Sequence, residues 1–272
     1  MASRAKGDNT AYGGLAARFA VAREIAREAG ALALDYFNRR DSLVVETKRD
    51  MQDLVSVADR DVETLIRNRV SAAFPEDGFL GEEFGLQEGH SSFVWVVDPI
   101  DGTSPFINGM PNWCVSIAVL EAGDPAIGVI YAPRHDEFYV AARGSGATLN
   151  DKVLKLDPSR TIRNAVTGLG SNSYVTPDVA AGMVRDLLAA GGNFMRNGSG
   201  ALMLAYVAAG RLVGYYEPVM HAWDCLAGYC LIAEAGGWHH PFPSDRDGLT
   251  RGALVLAAGP GAIEDLRKLA GL

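Results

Sequence analysis

The chain has 272 residues, 48% hydrophobic and 21% charged, an ordinary balance for one large folded domain or two modest ones. Its formal net charge of −8 counts against a duplex nucleic acid as partner, which calls for a basic face, yet leaves a phosphorylated small molecule open because bound cations can invert the potential at a site. Three cysteines, Cys114, Cys225 and Cys230, lack metal-ligand spacing and sit among apolar or small residues, so they read as reduced core residues of a cytoplasmic protein.

Residues 1–14 carry no apolar run of signal-peptide length, and no segment reaches the roughly 18 apolar residues of a membrane span, so a soluble protein is expected. From 15 to 37 apolar residues recur at Leu15, Phe19, Ala22, Ile25, Ala29, Leu32 and Tyr36, the spacing of an amphipathic helix. A short extended piece starts at Val44 and Val45, and 48–53 is a polar loop. A second helix follows, with Val62, Leu65, Ile66 and Val70 on one face, and stops at Pro75. Asp59 near its start can be a cap or first-turn acid.

The run 94–97 is apolar and β-rich, the length of a buried strand ending before Pro99. Next come strand-like runs at 113–120, 126–131 and 137–142, an antiparallel meander, and a hairpin around Asn150 and Asp151. A soft boundary near Val153 divides a half of residues 1–152 from a half of residues 153–272 within one packed body. The second half opens on a strand at 165–169. A helix follows, capped by Thr176 with Pro177 at its first position and Val179, Met183, Leu187 and Leu188 inward. Gly198, Ser199 and Gly200 open another helix; they can cradle a phosphate or hydroxyl, or simply allow close packing. Residues 211–217 alternate as a strand, and His221 precedes an apolar helix that holds Asp224 at its start. His239 and His240 read as surface residues, 253–258 as a buried strand and 261–272 as a closing helix.

The chemistry concentrates at Asp98-Pro99-Ile100-Asp101-Gly102-Thr103. Two carboxylates three residues apart repel each other unless a cation lies between them, and oxygen-only clusters suit Mg²⁺ or Mn²⁺ rather than zinc. Gly102 and Thr103 can turn N–H groups and a hydroxyl toward an anion. Upstream, Glu82 and Glu83 follow Gly81; on an extended backbone one would point inward and one outward.

This string, with Gly81-Glu82-Glu83 before it and Trp223-Asp224 after it, resembles the inositol monophosphatase family of Mg²⁺-dependent phosphomonoesterases. Residues 95–103 match the family's first signature, and Trp223-Asp224-Cys225-Leu226-Ala227-Gly228 through Glu234-Ala235-Gly236-Gly237 its second. The resemblance implies an α+β fold, a layered α-β-α-β-α sandwich. It also implies that Glu82, Asp98 and the Ile100 carbonyl hold one Mg²⁺, that Asp98, Asp101 and Asp224 hold a second, and that Glu82 helps a weaker third. Thr103, supported by Asp59, would orient and deprotonate the attacking water. The shared register also aligns Lys48 and Asp53 with family positions.

Gly102, Thr103, Ser104, Gly198, Ser199, Gly200 and Glu217 would form the substrate side. The implied substrate is a small phosphorylated metabolite, first inositol 1-phosphate, with histidinol phosphate or another sugar or nucleotide phosphate as the alternative. Li⁺ inhibition and a homodimer, with neither nucleic acid nor membrane as partner, complete the expectation. Ser104-Pro105, Ala58, Met203 and Val213 depart from common family residues, which leaves inositol specificity open. A non-catalytic regulatory protein on the same scaffold is a third reading, disfavoured because a retired site has no physical need to keep repelling acids together.

Overall fold

The computed structural model describes residues 14–39, 45–47 and 54–272, so Lys48 and Asp53 lie outside the described residues. In chain order the first elements are α1 (Leu15–Asn38), β1 (Val45–Thr47), β2 (Leu54–Ser56), α2 (Val57–Ala73), β3 (Gly78–Gly81), β4 (Gly85–Gln87), β5 (Phe93–Asp101) and α3 (Thr103–Ile107). The meander follows as β6 (Cys114–Glu121), β7 (Asp124–Ala132), β8 (Glu137–Ala142), β9 (Ala147–Leu149) and β10 (Lys152–Val153). The second half holds β11 (Val166–Leu169), α4 (Pro177–Ala189), β12 (Asn193–Met195), α5 (Gly200–Ala208), β13 (Leu212–Met220), α6 (Ala222–Glu234), β14 (Trp238–His239), α7 (Arg246–Arg251), β15 (Ala253–Ala258) and α8 (Ile263–Leu269).

Two large sheets dominate. The first has eight strands in the order β10-β9-β8-β7-β6-β5-β3-β4, antiparallel except where β3 runs parallel to β5. The second has five, in the order β12-β11-β13-β15-β14, its first three strands parallel. Period-two alternation explains how they stack. Trp95, Val97, Ile117 and Val119 pack on one face of the larger sheet against Ala22, Ile25 and Ile66 of α1 and α2. Val96, Ala118 and Ile130 on its other face share a cluster with Leu202 and Leu204 of α5 and Leu226 and Ile232 of α6.

Tyr215, Val255 and Ala257 of the smaller sheet join that same middle cluster, while Val213, Leu256 and Ala258 turn outward to Leu187 of α4 and Leu266 of α8. The result is the α-β-α-β-α sandwich expected from the sequence. Strands buried on both faces, as β5 and β6 are, must be apolar throughout, and this is why the acids at the end of β5 stand out. The α6 helix comes close enough to β7 that a Cβ on Gly128 would sit 2.3 Å from the Ala227 carbonyl oxygen, so only glycine fits there.

Three local expectations change. In α4 only Leu187 is fully buried, whereas Val179 is 46% and Leu188 50% exposed, because this outermost helix covers the smaller sheet with a single stripe. β13 does not end at Glu217 but continues through Pro218 to Met220, with a pairing irregularity between Glu217 and Met220. His239 is not a bare surface residue: it lies half-buried on β14, stacked on Tyr229 with ring centroids 4.1 Å apart, and burial lowers its imidazole from the ordinary value.

Candidate active site

β5 does not stop before Pro99 but runs through it to Asp101. The proline is accommodated because pairing with β6 slips between Asp98 and Asp101, so the ladder asks no N–H of it. The slip has a second effect. Three residues apart on a regular strand, Asp98 and Asp101 would face opposite ways; the irregularity brings both carboxylates to one side. Asp98 Oδ1 also accepts the Ile100 N–H at 2.9 Å, which fixes the turn from within.

Asp224 arrives from the other sequence half. It sits in the first turn of α6, where its Oδ2 accepts the His221 N–H at 3.1 Å, so it is a cap and a site residue at once. One carboxylate oxygen from each of Asp98, Asp101 and Asp224 lies within 4.8 Å of the others. Burial first, then the charges of Glu82, Asp101, Asp224 and Asp59, push the Asp98 carboxyl well above its ordinary range. Asp224 is raised well above it too, by burial and then by the charge of Asp101. Burial also raises Asp101, against hydrogen bonds from the Ser199 hydroxyl and the α5 N-terminus, including Ala201 N–H at 2.7 Å. An oxygen-only set of mutually repelling acids, two buried and Asp224 half-buried, is the donor chemistry a hard divalent cation fits.

The other expected residues surround this trio. Asp59 is buried in the first turn of α2. Glu82 lies in the turn between β3 and β4 rather than on an extended backbone, with its N–H on the Val97 carbonyl at 3.2 Å. That turn is held by a residue with no motif around it: fully buried Glu63 accepts from the N–H of Glu83 at 2.7 Å and Phe84 at 3.3 Å, and pairs with Arg67 at 2.8 Å. Gly102 adopts φ 96°, the left-handed region, and a Cβ there would lie 2.8 Å from the Asn112 carbonyl oxygen. Thr103 then starts α3 and donates its hydroxyl to the Ile100 carbonyl at 3.3 Å. Ser104 is exposed on α3.

A cavity of about 170 Å³ adjoins the acids. Asp101, Asp224, Gly198, Ser199, Gly200 and Glu217 line it; Gly102, Thr103 and Ser104 are not part of its wall. Ser199 is the N-cap of α5, accepting from Leu202 N–H, and its hydroxyl donates to Asp101, so the Gly-Ser-Gly segment ties α5 to the acid cluster. Glu217, 6% exposed, accepts from the Tyr215 hydroxyl and from Asn172 Nδ2 at 3.3 Å, and burial raises its carboxyl to about 7.

The profile of the inositol monophosphatase family matches residues 15–269. The chain belongs to that family. Among its relatives, the inositol-1-monophosphatase of Mesorhizobium japonicum is 41% identical over 211 residues, 75% of this chain and 77% of that one. The Nus factor SuhB of Xylella fastidiosa is 39% identical over 215 residues, 78% of each chain. The crystal structure of the extragenic suppressor protein suhB from Bartonella henselae superposes with a TM-score of 0.85 at 34% identity, covering 93% of this chain and 98% of that chain.

Several residues of this family member's cavity escaped the sequence reading: Tyr215, Asn172, Ser171, Arg196, Leu169 and Met220. Tyr215 had a signal, because it stands two residues before Glu217 and therefore on the same strand face. The others lie on loops or on elements with no motif, and only the fold brings them together. The three cysteines are buried thiols, as expected, although Cys114 Sγ lies 3.8 Å from Asp101 Oδ2, and burial drives that thiol well above its ordinary value. Among the described residues no helix is long and apolar enough to cross a membrane.

Proposed function

We propose that the protein is a divalent-cation-dependent hydrolase of small-molecule phosphate monoesters. The observation that carries this is the convergence of Asp98, Asp101 and Asp224, from a strand bulge and a helix start far apart in sequence, on one point beside a cavity. These acids, with Glu82 and the Ile100 carbonyl, would hold Mg²⁺ or Mn²⁺. Such cations, when bound, supply acidity to a water and positive charge to phosphoryl and leaving-group oxygens.

The chain's own groups do the rest. Because the Thr103 hydroxyl proton is committed to the Ile100 carbonyl, its oxygen lone pairs are free to accept from the attacking water and so orient it. Asp59, whose charge bears on Asp98, would take up the proton once the Thr103 hydroxyl turns from the Ile100 carbonyl to that carboxylate, giving up its own proton as it accepts one from the water. The N–H groups of Gly102 and Thr103, presented by the left-handed turn, hold the phosphate, with Ser104 beside them. Gly198, Ser199, Gly200 and Glu217 contact the remainder of the substrate. Inositol 1-phosphate is the first substrate to test and histidinol phosphate the second. Inhibition by Li⁺ and assembly as a homodimer belong to the same reading.

The test is phosphate release from both substrates with and without Mg²⁺, in the native chain and in Glu82→Gln. Mg²⁺-dependent release that falls steeply in the variant is expected; undiminished release in Glu82→Gln would remove that residue from the ligand set. A regulatory role is the second reading, favoured by the relatives named Nus factor SuhB at comparable identity. No metal-dependent release from any phosphate ester would support it over the enzymatic one.

A further inference from the structure

The cavity wall is chemically lopsided. Among the described residues fourteen line it; three are acids, Asp101, Asp224 and Glu217, and Arg196 is the one cation. The Arg196 guanidinium is exposed and donates to the Ser171 carbonyl at 2.9 Å, with no carboxylate paired to it among the described residues. A guanidinium carries five N–H donors in a rigid fork, so this one contact leaves donors to spare on a side chain that lines the cavity.

The remaining wall narrows what can sit there. Leu169, Met203 and Met220 are buried apolar groups in it, and a thioether is a poor partner for a hydroxyl. Most neutral side-chain donors are already used: the Ser199 hydroxyl goes to Asp101, the Tyr215 hydroxyl to Glu217, and the Asn172 amide to Glu217 and the Val219 carbonyl, which leaves the Ser171 hydroxyl. A ring bearing hydroxyls on every carbon would press several of them against apolar side chains without partners, which is unfavourable. What the wall leaves on offer is a fork for an anion at Arg196, an acceptor at Glu217 for one donor, and apolar surface from Leu169, Met203 and Met220. Arg196 and Glu217 sense each other, since the arginine's charge pulls the Glu217 carboxyl down against the effect of burial.

We propose that the cavity takes a small phosphate monoester carrying a second anionic group, a carboxylate or another phosphate, and that Arg196 grips this second group and sets specificity for it. The proposal rests on the phosphomonoesterase reading of the same site. A planar fork suits both kinds of oxyanion, which it can bind through two parallel hydrogen bonds.

The experiment is steady-state phosphate release in Mg²⁺ by the native protein, Arg196→Gln and Arg196→Lys. Substrates with a second anion are fructose 1,6-bisphosphate, for a phosphate, and O-phosphoserine and 2-phosphoglycerate, for a carboxylate; glycerol 2-phosphate and inositol 1-phosphate have none. The native protein should favour one of the doubly anionic group over both single anions. Arg196→Gln should lower kcat/KM for that substrate by about tenfold or more, mainly through KM, and change glycerol 2-phosphate by less than about threefold. Arg196→Lys should recover part of the loss, since it restores charge without the fork. Whether the phosphate or the carboxylate arm responds identifies the second group. Equal losses on all substrates, no loss on any, or a native preference for the single anions would overturn the proposal while leaving the phosphomonoesterase reading intact. Absence of metal-dependent release from every substrate would instead remove that reading, and the proposal with it.

Discussion

At the start of β5 a buried carboxylate is fully answered, and at its end several are not. Asp77 accepts from Arg18 Nε at 2.7 Å and a second guanidinium nitrogen at 2.6 Å, from Trp95 Nε1 at 2.9 Å and from the Ser91 hydroxyl at 2.6 Å. Phe93 and Phe74 lie against the same guanidinium, its central carbon 3.8 and 4.5 Å from their ring centroids. Six residues along the strand from Trp95, the acids at Asp101 face other acids and a cavity. The first cluster closes on itself with internal counter-charge and donors, so it serves the fold. The second gathers like charge beside open space, an arrangement that costs stability until something positive enters from outside. Burial of charge alone therefore does not mark a site; burial of unbalanced charge against a cavity does.

Removing one carboxylate from each end should have opposite consequences. Asp98→Asn is expected to lower metal-dependent phosphate release by about a thousandfold or more, about 4 kcal/mol in transition-state terms. The same change should raise the melting temperature in EDTA, because it relieves a desolvated, repelled group. Asp77→Asn should do the reverse: it leaves the Arg18 charge buried without its partner and costs about 3 kcal/mol or more of stability in denaturant titration, with activity per folded molecule preserved. A lower melting temperature for Asp98→Asn in EDTA, or an unchanged one for Asp77→Asn, would erase the distinction.

Glu217 sharpens the comparison through pH. Burial raises its carboxyl to about 7 in the folded chain from the ordinary 4.5. Between those values the folded state holds a proton that the unfolded state has released, so stability is greatest below the unfolded value and is lost as pH rises toward 7. At about 1.4 kcal/mol per unit the swing is about 3 kcal/mol. Asp98 and Asp224 add to it in the same direction. Denaturant titrations of the metal-free protein across pH 4.5 to 7 should show this fall, and Glu217→Gln should flatten it; an equal slope in that variant would mean the carboxyl is not held neutral by its surroundings.

How far the sequence could be read follows the same division. The apolar run before Asp98 and the two acids after it were visible together, because a both-faces-buried strand admits no polar residue without cause. The bulge that turns Asp98 and Asp101 to one side was not, since register depends on the β6 partner rather than on residues 98–101 themselves. Arg18 looked like any polar position in α1; its burial is decided by Asp77, 59 residues away. Glu63 sits in a helix where one more acid carries no signal, and its task becomes apparent only once the Glu82 turn folds over it. Arg196 belongs to the loop after an edge strand, where no periodicity predicts a direction. Motifs report what chemistry the residues can do locally, whereas long-range partners decide which of them are solved by the fold and which are left to a ligand.

The smallest effect separates the two clusters most directly. A cation that binds only the folded state stabilises it by RT ln(1 + [L]/Kd), about 2.7 kcal/mol at a hundred times the dissociation constant. Mg²⁺ at that excess should therefore raise the stability of the native chain by about this amount at pH 7, where the acids of the cluster must otherwise be held against one another. Asp77→Asn, although weaker overall, should gain the same increment, because its defect lies at the other end of β5. Asp98→Asn should gain little. Equal increments in all three proteins would mean that Mg²⁺ binds elsewhere, whereas an increment lost in both variants would mean that the two ends of the strand are not independent and that the Arg18–Asp77 cluster holds the bulge in place as well as the fold.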